Sequence, residues 1–72
     1  MLTDRECEVL LLLAEGCSYG QIASRLGISV HTVSTHLKNC YRKLGVRRAT
    51  DAVTRVAELM PERLAKLKQE MP

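Results

Sequence analysis

Apolar residues recur at helical intervals along most of the chain, and glycines separate the helical segments. Thr3 and Glu6 form a capping-box pattern just before an apolar run over residues 9–14. A first helix is therefore predicted over about residues 4–15, and Gly16 ends it. No stretch alternates apolar and polar residues as a half-buried strand would.

Two further helices are predicted, with turns only about three residues long between successive helices. Ser18 and Gln21 repeat the capping-box pattern and start a second helix, which Gly27 ends. Ser29 then caps a third helix over about residues 30–44. Turns this short force consecutive helices into contact, so the second and third helices are predicted to form a helix-turn-helix.

The last part of the chain predicts a fourth helix over about residues 49–60, followed by a tail over residues 61–72. The proline that begins the tail cannot continue a helix but suits the first turn of a new one. Leu64 and Leu67 would share one face of that helix. The predicted fold class is therefore all-α, with a four-helix domain over residues 1–60 and an amphipathic fifth helix as an option for the tail.

The composition fits one small domain without a membrane span or a membrane partner. The longest apolar run has six residues, against the roughly 20 that a membrane helix needs. Acidic residues near the N-terminus argue against a signal peptide. An odd number of widely spaced cysteines is typical of a reducing compartment, so we expect a cytoplasmic protein whose cysteines have small apolar or surface roles. They are Cys7, Cys17 and Cys40.

Charge is distributed unevenly along the chain. Residues 1–15 carry one basic and four acidic residues, residues 51–72 carry four of each, and residues 16–50 carry six basic residues and no carboxylate. A basic segment of this length attracts polyanions, whereas a solvated face usually intersperses acids with its cations. The six cations of the basic segment are Arg25, Lys38, Arg42, Lys43, Arg47 and Arg48.

The predicted third helix has two chemically different faces. Its apolar positions form one stripe, which is the predicted core contact: Val33, Leu37, Cys40, Tyr41 and Leu44. The opposite face holds hydrogen-bonding and cationic residues: His31, Thr35, Lys38, Asn39 and Arg42. A solvated helix face usually includes glutamate, which is absent here. Because a helix fits the major groove of B-DNA, where lysine reads guanine and asparagine reads adenine, this face is predicted to contact bases.

Short motifs with a characteristic order and spacing extend over about residues 2–57. They are Leu2-Thr3-Asp4-Arg5-Glu6, Glu8-Val9-Leu10, Gly16, Gln21-Ile22-Ala23, Leu26-Gly27-Ile28-Ser29, Thr32-Val33, His36-Leu37, Lys43-Leu44-Gly45-Val46 and Ala52-Val53. Together they resemble the LuxR/NarL/FixJ/GerE-type DNA-binding domain of bacterial transcription regulators. The resemblance implies a four-helix domain whose third helix enters the major groove and whose fourth helix pairs two domains on a twofold-symmetric site.

The resemblance also implies roles for individual residues. Ser34, Thr35 and Lys38 would face bases, while Thr32, His36 and Lys43 would lie near phosphates. Combined with the face pattern, the expected base-reading residues are Thr35 and Lys38 first, then Ser34, His31, Asn39 and Arg42. The expected backbone contacts are Thr32, His36, Lys43, Arg47 and Arg48.

The predicted fourth helix carries an apolar arc wider than the stripe of about 100° that one core contact needs. A homodimer surface is predicted along one flank of this arc, at Ala52, Val53, Val56 and Leu59. The open alternative is that the tail helix folds back over the arc through Leu64 and Leu67.

Two predictions concern the first helix. Glu6 falls on its inward arc and needs a partner, which is either the capping box or one of the following cations: Arg5, Arg42, Lys43 or Arg47. Leu11 and Cys7 are predicted to point away from the core. Leu11 would then be available to a sensory or receiver domain in a longer parent protein.

The sequence thus predicts sequence-specific binding of double-stranded DNA by a bacterial transcription regulator, such as a response regulator. RNA polymerase is left open as a further partner. No enzyme activity and no cofactor are expected, and His36 with Cys40 lacks the second ligand pair of a zinc site. The alternative function is a helix-turn-helix module that binds an acidic protein partner, and a sigma-factor-like promoter contact is a closer variant.

Overall fold

The computed structural model describes residues 1–70, without the side chains of Leu67, Lys68 and Glu70, so the prediction for Leu67 lies outside the described side chains. Five helices and no strand are found over residues 1–70, and the predicted all-α fold is confirmed. The helices are α1 (Asp4–Ala14), α2 (Tyr19–Leu26), α3 (Val30–Leu44), α4 (Ala49–Leu59) and α5 (Pro61–Glu70). None of them is long and apolar enough to span a membrane.

Local sequence signals fix the ends of the first three helices. Thr3 accepts a hydrogen bond from the Glu6 amide at 3.1 Å, and the Glu6 carboxylate accepts one from the Thr3 amide at 2.9 Å, which completes the predicted capping box. Ser18 forms the same reciprocal pair at the start of α2, and Ser29 caps α3. Gly27 ends α2 in the left-handed conformation, with φ of 67°, where a side chain would be strained.

The start of α4 differs from the other starts. Arg48 is its N-cap residue and makes no capping hydrogen bond with its side chain. Its guanidinium instead lies 3.1 Å from the Asp51 carboxylate in the first turn. An aspartate there also suits the positive end of the helix dipole, so α4 begins with charge stabilisation in place of a side-chain cap.

The core is built around α1, which packs against each of the other four helices. This arrangement shows that the prediction for Leu11 and Cys7 was wrong, because both are buried, with 6% and 8% of their surface exposed. A helix with neighbours on several sides buries more than one stripe, so the arc expected from a single contact underestimates its buried face. All three cysteines are free and buried.

Candidate nucleic-acid interface

The two predicted faces of α3 are separated as expected. Val33, Leu37 and Cys40 are buried against the other helices, and Tyr41 and Leu44 pack beside them. The opposite face is open to solvent: His31, Thr35, Lys38 and Arg42 are exposed, and Asn39 is half-buried. The basic face therefore lies on a helix whose other side is fixed in the core.

Hydrogen bonds organise the exposed face. The Thr35 hydroxyl donates to the His31 carbonyl at 3.1 Å, which directs its remaining lone pairs away from the backbone. The Arg42 guanidinium donates to the Asn39 side-chain oxygen at 2.8 Å. Asn39 is therefore engaged with Arg42, which leaves its amide nitrogen as its available donor.

The residues predicted near phosphates lie in different surroundings. Thr32 is half-buried at the start of α3, where its hydroxyl is 2.9 Å from that of Ser29. His36 is half-buried. Arg47 and Arg48 are exposed in the segment between α3 and α4, and Arg48 carries the ion pair with Asp51.

Lys43, whose side chain is one-third exposed, is joined to α1 by an ion pair. Its ammonium lies 2.7 Å from the Glu6 carboxylate, and this confirms the prediction that one of four cations supplies the partner of Glu6. Because the charge of Lys43 is already paired, Lys43 contributes less to the positive field than an unpaired cation. Of the six cations in the basic segment, four form no ion pair with any described side chain: Arg25, Lys38, Arg42 and Arg47.

The predicted dimer residues do not share one surface. Ala52 and Val56 are fully buried inside the chain, so assigning them to a dimer surface was wrong. Both belong to the core cluster, and α4 packs against α1, α3 and α5. Val53 is half-buried and Leu59 is 56% exposed, so these two remain accessible.

Sequence reasoning missed two features beside this interface. Val30, at the start of α3, has an apolar side chain that is 50% exposed. Among the described residues, the buried Tyr41 hydroxyl has no hydrogen-bond partner of normal geometry, and burial together with neighbouring Tyr19 raises the pKa of Tyr41 to about 12. Within the described residues, no three histidine, cysteine or acidic side chains lie together as metal ligands would.

The short turn between α2 and α3 and the exposed, acid-free face of α3 define a helix-turn-helix domain of the DNA-binding class. The family described as "Bacterial regulatory proteins, luxR family" matches residues 1–56. The chain therefore belongs to the LuxR family of bacterial regulatory proteins. Membership implies DNA-binding transcription regulation, and members of this family are generally not enzymes.

Individual relatives agree with this family. The HTH-type transcriptional regulator MalT of Cronobacter sakazakii is 44% identical over 59 residues, which are 82% of this chain and 6% of MalT. The crystal structure of the response regulator ChrA in a heme-sensing two-component system superposes with a TM-score of 0.77 at 44% identity. That match covers 89% of this chain and 30% of the ChrA chain. This chain thus spans a small part of both relatives.

Proposed function

We propose that α3 enters the major groove of double-stranded DNA and reads base edges there, as the DNA-binding part of a bacterial transcription regulator. The observation that carries this proposal is the exposed face of α3, which offers donors, acceptors and cations and no carboxylate. The same helix is fixed from behind by buried Val33, Leu37 and Cys40. A rigid helix loses little conformational entropy on binding, which favours sequence reading over loose association.

Thr35 and Lys38 are the primary base-reading residues in this proposal. Lys38 is a donor suited to the guanine acceptors O6 and N7. The Thr35 hydroxyl has its proton committed to the His31 carbonyl, so it acts as an acceptor for an exocyclic amino group, and its methyl suits a thymine methyl. Exposed Val30 offers a further apolar contact of this kind. Secondary roles fall to His31, Ser34, Asn39 and Arg42.

Backbone contacts come from the groups around the two ends of α3. Arg47 has no ion-pair partner among the described side chains and is the strongest candidate for a phosphate. Arg48 contacts a phosphate after its exposed ion pair with Asp51 breaks. Breaking an ion pair at the surface costs little free energy. Thr32 and His36, which are half-buried residues of α3, supply hydrogen-bonding groups. Lys43 acts mainly through Glu6, and we expect its phosphate contact to be secondary.

The proposed dimer surface is reduced to the accessible flank of α4, with Val53 and Leu59 at its centre. Such a small patch fits a weak association that forms on a twofold-symmetric DNA site. Leu59→Glu would then abolish cooperative binding to two adjacent half-sites while leaving binding to a single half-site intact. Loss of binding to the single half-site as well would contradict this role.

The relatives are much longer than this chain, which supports further partners in a longer parent protein. In a longer parent chain, a sensory or receiver domain would control the DNA-binding domain, and RNA polymerase would be the partner of an activator. Leu11 is buried, so it does not project from α1 as an exposed contact for such a domain.

The test is fluorescence anisotropy of a mixed-sequence duplex of about 25 base pairs, titrated with the protein between about 50 and 300 mM salt. Several phosphate contacts predict a linear fall of log K with log salt, with a slope of about −3 to −6. That result would justify selecting an operator from random DNA. Absence of binding by folded protein at the lowest salt would overturn the proposal in favour of an acidic protein partner.

A further inference from the structure

A groove of about 490 Å³ runs along α1 between α2 and α5 and is open to solvent. Both α2 and α5 pack against α1, but within the described residues they do not pack against each other. Leucines form its base, with cations on both sides. The residues that line this α1–α2–α5 groove are Glu8, Leu11, Leu12, Arg25, Leu26, Arg63 and Lys66.

The groove is positively charged on both sides. Arg25 lies on the α2 side, and Arg63 and Lys66 lie on the α5 side. None of these three cations forms an ion pair with a described side chain. Glu8 is the one carboxylate among the lining residues, and it is 3.8 Å from Arg5. Three cations and one carboxylate give the lining a net charge of +2.

None of the described residues that line the groove belongs to α3. Within the described residues, α5 packs against α1 and α4 and makes no contact with α3, whereas α2 packs against both α1 and α3. We expect a ligand in the groove and DNA on α3 to bind at the same time. The α5 side of the groove also lies beyond residues 1–56, which are the residues that match the family.

We propose that this groove binds an acidic amphipathic helix of a protein partner. Leucine-sized side chains of that helix would lie on half-buried Leu26 and over the nearly buried leucines of α1, and its flanking carboxylates would pair with Arg25 on one side and with Arg63 and Lys66 on the other. This is the helix-in-groove mode, in which apolar anchors follow helical spacing. A cleft for a small molecule typically encloses about 70–90% of its ligand, which an open groove does not.

The test is a titration of the ¹⁵N-labelled 72-residue chain with a synthetic peptide, followed by NMR chemical shifts. The peptide is about 14 residues long, with leucines at helical spacing, glutamates on both flanks and blocked termini. A matched peptide carries glutamine in place of each glutamate. We expect shift changes at the amides of Glu8, Leu11, Leu12, Arg25 and Leu26 and along α5 with the acidic peptide, and weaker binding of the neutral one.

Two charge-reversal variants separate the groove from α3. The double variant Arg63→Glu with Lys66→Glu is expected to weaken peptide binding about tenfold or more, because it places like charges against the glutamates. The double variant Lys38→Glu with Arg42→Glu makes the same charge change on α3 and should leave peptide binding within about twofold. Far-UV circular dichroism checks that both variants are folded.

Several results would overturn the proposal. These are the absence of shift changes at the groove amides with the acidic peptide, equal weakening by both double variants, or equal binding of the neutral peptide. In a separate titration with octanoate, a small anionic amphiphile, groove shifts that the peptide does not produce would also overturn it. Chemical-shift changes at the groove amides that depend on protein concentration in the absence of peptide would assign the groove to a second copy of the chain.

The proposed binding of a partner helix in the α1–α2–α5 groove does not depend on DNA binding. Only the statement that the groove stays accessible when DNA is bound rests on the proposed function. Repeating the titration with a bound duplex tests that part separately.

Discussion

The ammonium of Lys43 lies 2.7 Å from the carboxylate of Glu6, which joins the last turn of α3 to the first turn of α1. Burial raises the pKa of the Glu6 carboxyl, but hydrogen bonds from Lys43 and Thr3 and the charge of Lys43 outweigh burial, so the pKa lies below its ordinary value. One ion pair thus orients the proposed recognition helix on the helix at the centre of the core.

Removing Lys43 should destabilise the domain more than neutralising Glu6. In Lys43→Met the buried carboxylate keeps its charge and loses its main partner, whereas in Glu6→Gln the lysine, one-third exposed, turns into solvent. We expect the free energy of unfolding to fall by about 2 kcal/mol for Lys43→Met and by about 1 kcal/mol for Glu6→Gln. Urea unfolding at neutral pH measures both, and equal costs would contradict the asymmetry.

The same pair predicts a defined pH dependence. Because the folded pKa of Glu6 is lowered, its stabilisation is complete above the ordinary carboxyl value of about 4.3 and is lost as pH falls through the folded value. The difference in unfolding free energy between the wild-type protein and Lys43→Met should therefore shrink on acidification below about pH 4.3. The other carboxylates titrate in both proteins, so the difference isolates Glu6. A difference that stays constant to pH 3 or so would contradict this linkage.

Leu11 and Leu59 provide a matched pair for the core around α1. Leu11→Ala removes a buried side chain and is expected to cost about 2–4 kcal/mol, which is a large part of the stability of a small domain. Leu59→Ala removes an exposed side chain and should cost less than about 0.5 kcal/mol. Thermal unfolding followed by circular dichroism compares the two. A neutral Leu11→Ala would contradict the buried position of Leu11.

The thiols should be unreactive in the folded protein. Burial raises the pKa of Cys40 to about 11, and neighbouring Glu6 and Cys7 act in the same direction. All three cysteines are buried, so a thiol reagent at pH 8 should label none of them quickly until urea is added. Ser24→Cys, at an exposed position of α2, supplies the control and should add one rapidly labelled thiol. Rapid labelling of Cys40 in the native protein would contradict the buried position of α3's apolar stripe.

Lys38 and Arg47 should affect DNA binding in different ways. Lys38→Ala is expected to weaken binding to a selected operator by about 1–3 kcal/mol and to relax preference at one base position. Arg47→Ala should weaken binding about equally on every sequence and reduce the salt slope by about one. Competition binding with single-base variants of the operator measures both effects. The assignment of α3 to the major groove of DNA would be contradicted if Lys38→Ala changed neither affinity nor base preference.

The sequence by itself determined the first three helices with their N-caps, and the two faces of α3. Capping boxes at Thr3 and Ser18 and the helix end at Gly27 depend on contacts between residues three or four positions apart, so the pattern of residue types is sufficient. The separation of buried Val33 from exposed Lys38 likewise follows from helical periodicity, because the apolar positions of α3 fall on one side of the helix.

Only the tertiary structure decided which residues meet across the fold. The sequence left four cations as partners for Glu6, and the packing of α3 on α1 selected Lys43. The sequence did not predict that α1 would have helices on several sides, which buries Leu11. It also did not predict that Ala52 and Val56 of α4 would be buried in the core. Helical spacing defines the direction of each side chain relative to its own axis, whereas the number and position of neighbouring helices depend on how all apolar surfaces pack together.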